Sequence, residues 1–393
     1  MRSTKNNNQV SAASANAPMD LSGLSIAHCK RAGEKKTRGH PYYIVAPNYL
    51  RTSAGIRALH LLCHALNCLG EDAYVLISPM VWGRALTDPS LDTPVADGRL
   101  FAKHRRQGRT PITIYPETIR GNPLQAPLVV RYVCNYPGLL GGDKTYPASE
   151  IVFGYSRRLA EAAGHRDNVL FLPASDPTIF HPAPPGAPRS GTCFYGAKYS
   201  VHHGGKFFPV TRDSIEITRD LPDSQTPSEI ADLFRRSELF YCYENTALAI
   251  EAAMCGCPAV FLPNEHLTEI IASDELTSDG FAWGTDPAEI ERAKQTVKNI
   301  FPNYEAAVQR FWVDLARMVE RTQQAANVTP YKQPMKSLYR RTPDFENPTP
   351  GERLVHIAHL IVRAWHELRY NGIHAFVRRT IRFIKKHLSK MRA

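Results

Sequence analysis

Several features are missing from this 393-residue sequence, and each absence narrows the field. No apolar run approaches the ~18 residues that a bilayer-spanning helix needs, so no transmembrane helix is expected. The N-terminal stretch MRSTKNNNQVSAASANAPMD has no apolar secretory core. Its Asn, Ser and Ala bias reads as a disordered lead-in over 1–40. The eight cysteines are Cys29, Cys63, Cys68, Cys134, Cys193, Cys242, Cys255 and Cys257, and none is spaced as CxxC. That disfavours a zinc ribbon, a dithiol redox motif and a small disulfide framework. Reduced, buried thiols fit a cytoplasmic protein. Acidic residues are absent from 370–393, where seven Lys and Arg stand. This one segment supplies +7 of the net +11, so the remainder is only mildly basic. A broad nucleic-acid groove is therefore not expected, because it needs cations spread over a fold.

What is present is a repeated alternation of strand and helix signals. Tyr42–Ala46 (YYIVA) reads as a buried strand. A turn-rich loop with Ser53-Ala54-Gly55 follows, then apolar residues at helical spacing over Ile56–Leu69, then a strand at Ala73–Ile77. Strand, loop, helix and strand in about 35 residues make a βαβ unit and imply a parallel sheet. The loop reads PNYLRTSAG and lacks GxGxxG, which disfavours a dinucleotide dehydrogenase. Further strands are expected at Ile112–Tyr115, Leu128–Val133, Ile151–Tyr155 and Val169–Leu172, with a helix at Arg157–Ala163. The proline-rich 173–190 reads as a linker. A second alternation follows: strands at Gly191–Tyr195, Ser214–Thr218, Leu239–Tyr243 and Ala259–Leu262, and helices at Pro227–Arg236, Ala247–Cys255, Pro287–Lys298 and Asn303–Ala325. No internal repeat of 20–50 residues is visible beyond that alternation.

The chemistry concentrates in ENTALAIEAAMCGCPAV, Glu244–Val260. The strand before it ends in Glu244-Asn245-Thr246. The helix then stops at Gly256, a residue suited to a left-handed cap, and Pro258 prevents its continuation. A helix N-terminus at the carboxyl end of a parallel strand presents free N–H groups and the positive dipole end, which suits phosphate. Glu251 lies one turn in, where a carboxylate can accept from two vicinal hydroxyls such as a ribose diol. Phosphates at the helix start and a ribose beside its first turn describe a nucleoside diphosphate.

The stretch IEAAMCGCPAVFLPNEHLTEII resembles the glutamate-containing signature of GT-B glycosyltransferases, the retaining, sugar-nucleotide-dependent group-1/group-4 type. The resemblance covers roughly 41–325. It implies an α/β fold of two Rossmann-like domains facing a cleft, with Glu251 on the nucleotide ribose, Gly256 and Pro258 at the family's Gly and Pro, and Glu269 after the next strand. The family carries another Glu eight residues before the ribose Glu. Here that place holds Tyr243, and Glu244 stands one position late. NVLFLPASDPTIFHP resembles the family's interdomain segment. TCFYGAKY resembles the strand and basic loop that meet the diphosphate, with Gly196 and Lys198 as the matching residues.

The expected organisation is therefore a lead-in (1–40), an acceptor domain (41–175), a nucleotide-sugar domain (176–325) and an extension (326–393). At 370–393 the extension carries a basic amphipathic helix suited to an anionic membrane. Glu117 and Glu244 are the catalytic candidates. Gly196, Lys198, Asn245, Thr246, Glu251 and Glu269 are the donor-binding candidates, and Ser53 and Gly55 form an acceptor or phosphate loop. No metal site is expected: His202 and His203 are adjacent and have no suitably spaced partner. No cofactor is expected beyond the nucleotide-sugar co-substrate. The expected activity is glycosyl transfer from a nucleotide sugar to a glycan or lipid-linked hydroxyl in surface polysaccharide biosynthesis. The setting would be cytoplasmic, with peripheral attachment to the inner face of the membrane. The alternatives are a sugar-nucleotide epimerase or hydrolase on the same fold, or a non-catalytic nucleotide-binding scaffold at the membrane.

Overall fold

The computed structural model describes residues 25–31, 39–81, 84–218, 224–271 and 273–336. The basic segment 370–393 lies outside the described residues. Within 1–40, Ile26–His28 forms a short 3-10 turn capped by Ser25. Ile26 is buried against the first helix, so this part of the lead-in packs on the fold.

The first half alternates β1 (Tyr42–Ala46), α1 (Ala54–Cys68), β2 (Ala73–Ile77), α2 (Gly98–Arg106), β3 (Ile112–Pro116), β4 (Leu128–Val133), β5 (Ile151–Gly154) and α3 (Arg157–Ala162). The second half continues with β6 (Thr192–Tyr195), α4 (Ala197–His203), β7 (Ile215–Glu216), α5 (Pro227–Arg236), β8 (Leu239–Cys242), α6 (Ala247–Met254), β9 (Ala259–Phe261), α7 (Ser273–Leu276), β10 (Phe281–Trp283), α8 (Pro287–Thr296) and α9 (Ile300–Val328). Two five-stranded sheets result, ordered β2-β1-β3-β4-β5 and β10-β9-β8-β6-β7, with every pairing parallel. Counted within each half, both sheets have the same doubly wound order, so the halves share topology as well as alternation. The long helix α9 ties them together. Near its start, the Tyr304 hydroxyl donates to the Ser175 carbonyl. Near its end, Thr322 pairs with the Tyr42 hydroxyl at 2.8 Å on β1.

Most strands fall where the apolar runs place them, and three expectations change. Val169–Leu172 is not a strand; only an isolated bridge joins Val169 to Gly154. Ser214–Thr218 shrinks to two exposed residues, Ile215 and Glu216, at a sheet edge. The loop expected after β6 turns into α4. The helix α2 appears because Asp97 caps it and only Phe101 and His104 need burial, a weaker periodic signal than that of α1. The proline-rich 173–190 has neither helix nor strand.

Candidate functional site

Doubly wound sheets offer a ligand site outside the carboxyl ends of their strands, at the point where strand order reverses. Here the two halves bring their carboxyl ends against one cavity of about 130 Å³. The start of α1 contributes Ala54, Gly55 and Ala58, and the start of α6 contributes Asn245, Thr246, Ala247 and Ile250. Ser175 and Tyr304 also line it. The walls are mainly apolar, and two helix N-termini open onto them. Thr246 caps α6, its hydroxyl accepting from Leu248 N–H at 3.3 Å. Ser53 stands at the cap position of α1 without a side-chain cap bond. A Cβ at Gly55 would meet no atom within 4 Å, so this side of the cavity is open.

Glu251 lies behind the cavity, 1% exposed. The α6 sequence ALAIEAAM explains the depth: its alanines let the helix pack closely against α5, α9 and the sheet. Oε1 of Glu251 accepts from Arg57 Nη2 at 3.2 Å and from the Ser175 hydroxyl at 3.3 Å. Arg57 belongs to α1, so this ion pair crosses from one half to the other. Gly256 ends the helix as expected, at φ +77°. Arg189 gathers the helix-end carbonyls there, reaching Cys255 O at 2.7 Å and Phe234 O and Ser237 O at 2.9 Å.

The one-residue offset of Glu244 has a plain structural outcome. Tyr243 is fully buried among Phe194, Tyr199, Phe207 and Phe208. Its hydroxyl accepts from Phe208 N–H at 2.6 Å and pairs with Thr211 Oγ1 at 2.7 Å. Glu244 turns the other way. Its Oε2 accepts from Lys198 N–H at 2.8 Å and Tyr199 N–H at 3.1 Å, capping α4. Lys198 Nζ stands 3.8 Å from Glu244 Oε1 and is mostly exposed. Gly196, the cap residue of α4, packs on this cluster: a Cβ there would come within 2.7 Å of Phe207 and 3.0 Å of Tyr243.

Glu269 closes the seam a second time. The Tyr136 hydroxyl and Arg158 Nη1, both from the first half, donate to its two carboxylate oxygens. These bonds, the tyrosine first, hold its carboxyl below the usual range. Asn245 braces the same loop: it donates to Glu269 O at 2.9 Å and accepts from Ile271 N–H at 3.2 Å. Glu117 follows β3, 4% exposed. Burial pushes its carboxyl up to about 7, against opposing backbone bonds from Cys134 N–H at 2.9 Å and from its own N–H. Cys134 in turn lines the cavity.

Gly55, Asn245 and Thr246 thus share one cavity, with Glu251 behind it through Ser175 and Glu117 reaching it through Cys134. Gly196, Lys198 and Glu244 form a separate cluster at the β6 and β8 ends. Sequence reasoning missed Arg57, Ser175, Tyr136 and Arg158. Arg57 had a signal: it is the one Lys, Arg, Asp or Glu in the helical run Ile56–Leu69. Among the described residues no group of three or more His, Cys, Asp or Glu is placed to hold a metal. No helix among them is long and apolar enough to cross a membrane.

No protein-family model matches the chain, and no curated protein sequence matches it. Solved structures do align with it. AviGT4, described as a glycosyltransferase involved in avilamycin A biosynthesis, is 15% identical over 74% of this chain and 98% of its own, with a TM-score of 0.43. The glycosyltransferase SnogD from Streptomyces nogalater is 12% identical over 74% and 100%, with a TM-score of 0.37. The spinosyn rhamnosyltransferase SpnG is 14% identical over 73% and 100%, with a TM-score of 0.34. At TM-scores below 0.5 these likenesses settle nothing about this chain. Its fold, two Rossmann-like α/β sheets meeting at their carboxyl ends, is read from its own strand orders.

Proposed function

We propose that the chain is a GT-B-type glycosyltransferase that moves a sugar from a nucleotide-sugar donor to an acceptor hydroxyl. One observation carries the reading: the N-termini of α1 and α6, from opposite halves, open onto a single cavity with the carboxylate of Glu251 behind it. Two helix dipoles favour an anion between them, and Glu251 is the residue proposed to accept from the ribose hydroxyls. In the proposed reaction the bond from the anomeric carbon to the diphosphate oxygen breaks, and the acceptor oxygen bonds to that carbon. The nucleoside diphosphate leaves, and the acceptor's proton passes to a base. Glu117 suits that base: with its carboxyl near 7 it both takes and releases a proton at neutral pH. Lys198 and the α6 N-terminus are proposed to meet the developing charge on the leaving group. No resident cofactor takes part in this scheme.

The acceptor proposed is a glycan or lipid-linked hydroxyl of surface polysaccharide biosynthesis, reached from the cytoplasmic face through the basic segment 370–393. The test has two stages. Thermal shifts against UDP, GDP, ADP and dTDP identify the base, and turnover of the matching nucleotide sugars is then followed with and without acceptor. Donor consumption without acceptor points to the epimerase or hydrolase. No turnover under any condition points to the scaffold. Nucleotide binding left unchanged by Glu251→Ala removes the site assignment.

A further inference from the structure

Arg57 is an expensive residue where it stands. It sits in α1 just before a continuous buried run, Ala58 to Cys68, and its guanidinium crosses the seam to reach Glu251 Oε1 at 3.2 Å. Charge-assisted N–H···O bonds run at ~2.7–2.9 Å, so this one is long. Its Nε is buried and has no hydrogen-bond partner. A buried ion pair is weak stabilisation even at good geometry. A long contact with an orphaned donor is a poor reason to hold a guanidinium here. The surroundings supply a better one. The helix that carries Arg57 also gives Ala54, Gly55 and Ala58 to the cavity, and the N-terminus of α6 faces the same space.

We infer that Arg57 is a diphosphate-binding cation supplied by the first half, held on Glu251 while the donor site is empty. This rests on the glycosyltransferase reading above. When a nucleoside diphosphate enters, its ribose hydroxyls take the Glu251 carboxylate and the guanidinium turns onto the diphosphate. A planar fork of five donors suits phosphate oxygens better than a single long bond to one carboxylate oxygen. No covalent bond changes in this exchange. The two parts of the ligand therefore meet Arg57 with opposite sign: the ribose must displace it, and the diphosphate recruits it.

That asymmetry is measurable on the full chain with UDP, GDP, ADP and dTDP and the four matching nucleosides. Calorimetry reads the diphosphates, and ligand-observed NMR reads the weaker nucleosides. In Arg57→Gln, which keeps a donor for Glu251 and removes the charge, diphosphate affinity is expected to fall roughly 10- to 100-fold, the range for a lost charged hydrogen bond. Nucleoside affinity is expected to stay level or rise. Arg57→Lys keeps the charge without the fork and is expected to show a smaller loss, again confined to the diphosphates. It serves as the readout if Arg57→Gln does not fold. Equal factors on nucleoside and diphosphate, or no change in either, make Arg57 a structural strut and overturn the inference. Wild-type protein that binds none of the four diphosphates removes the donor reading itself, a result distinct from equal factors.

Discussion

The two halves have the same strand order and spend their polar residues differently. In the second sheet the reversal point between β6 and β8 is bridged by the chain's own side chains. Glu244, after β8, caps the helix that follows β6, and Tyr243 fills the space beneath. In the first sheet the end of β3 instead carries Glu117, a buried carboxyl bonded by backbone N–H groups alone. The strands differ as well. Those of the second sheet contain no Lys or Arg, whereas β4 buries Arg131 completely. Where the halves meet, charge is sorted by origin. The first half lends the cations Arg57 and Arg158, and the second lends the carboxylates Glu251, Glu269 and Asp274. Topology thus gives two equivalent edges, and side chains set what each edge can do.

The deepest difference is Arg131, and removing it is expected to have the largest effect. Its Nε donates to Glu150 Oε2 at 2.5 Å, and its Nη atoms hold the carbonyls of Ile119 and Gly121. It therefore clamps the turn that follows Glu117. Arg131→Leu leaves the buried Glu150 carboxylate without its cation, a change that typically costs about 3–5 kcal/mol. Equilibrium denaturation should show that loss. A loss below about 1 kcal/mol would mean that Glu150 reaches water cheaply and that the clamp is not structural.

The second prediction uses the raised carboxyl of Glu117. A folded-state value of about 7 against an ordinary 4.5 means that the native protein keeps a proton the unfolded chain releases. Stability from this group is therefore present below pH 4.5 and declines as pH rises to about 7. The full effect is up to about 3 kcal/mol at 1.36 kcal/mol per pH unit. Glu117→Gln should flatten the stability profile over that window, as read by melting temperature against pH. Glu269 works in the opposite sense. Its depressed carboxyl gives stability at neutral pH that is lost as pH falls below the ordinary carboxylate range. An unchanged profile in Glu117→Gln would show that the carboxyl is already ionised at neutral pH, and its proposed role as base would go with it.

Tyr243 and Glu244 show how far a sequence reaches. The strands Tyr42–Ala46 and Ala73–Ile77 are legible to the residue because a strand buried on both faces is apolar throughout, and Leu128–Val133 is legible despite Arg131 because the rest of its run is apolar. The helix Ala247–Met254 is legible because its cap and its glycine stop are local features. The offset between Tyr243 and Glu244 is visible in the sequence, but its meaning is not. A strand end gives no sign of which way each side chain turns, and both partners, Thr211 and the start of α4, lie 30 or more residues away. The same limit hides the seam. Arg57 meets Glu251 and Arg158 meets Glu269 only after two sheets have formed and docked. The third prediction follows from the turned tyrosine. Tyr243→Phe removes the acceptor for Phe208 N–H and should cost about 1–3 kcal/mol, the penalty for an unsatisfied buried donor. A neutral result would mean that water replaces the hydroxyl and that the second edge is less closed than its packing implies.

The smallest effect is expected at the outer clamp of the seam, where it sharpens the contrast with the inner one. Arg158 and Glu269 are about one-third exposed, with side-chain values of 38% and 35%. Exposed pairs contribute ~0–1 kcal/mol and weaken in salt. Arg57 and Glu251 are 13% and 1% exposed, and buried charges are screened much less. Glu269→Gln should therefore lower stability by less than about 1 kcal/mol at low ionic strength, and the difference from wild type should vanish near 1 M salt, where the Debye length is ~3 Å. The cost of Arg57→Gln should persist at the same salt. Melting curves of both variants at low and high ionic strength read this directly. Parallel salt responses would mean that both pairs see the same solvent, and the inner pair would then have no special claim on the proposed donor site.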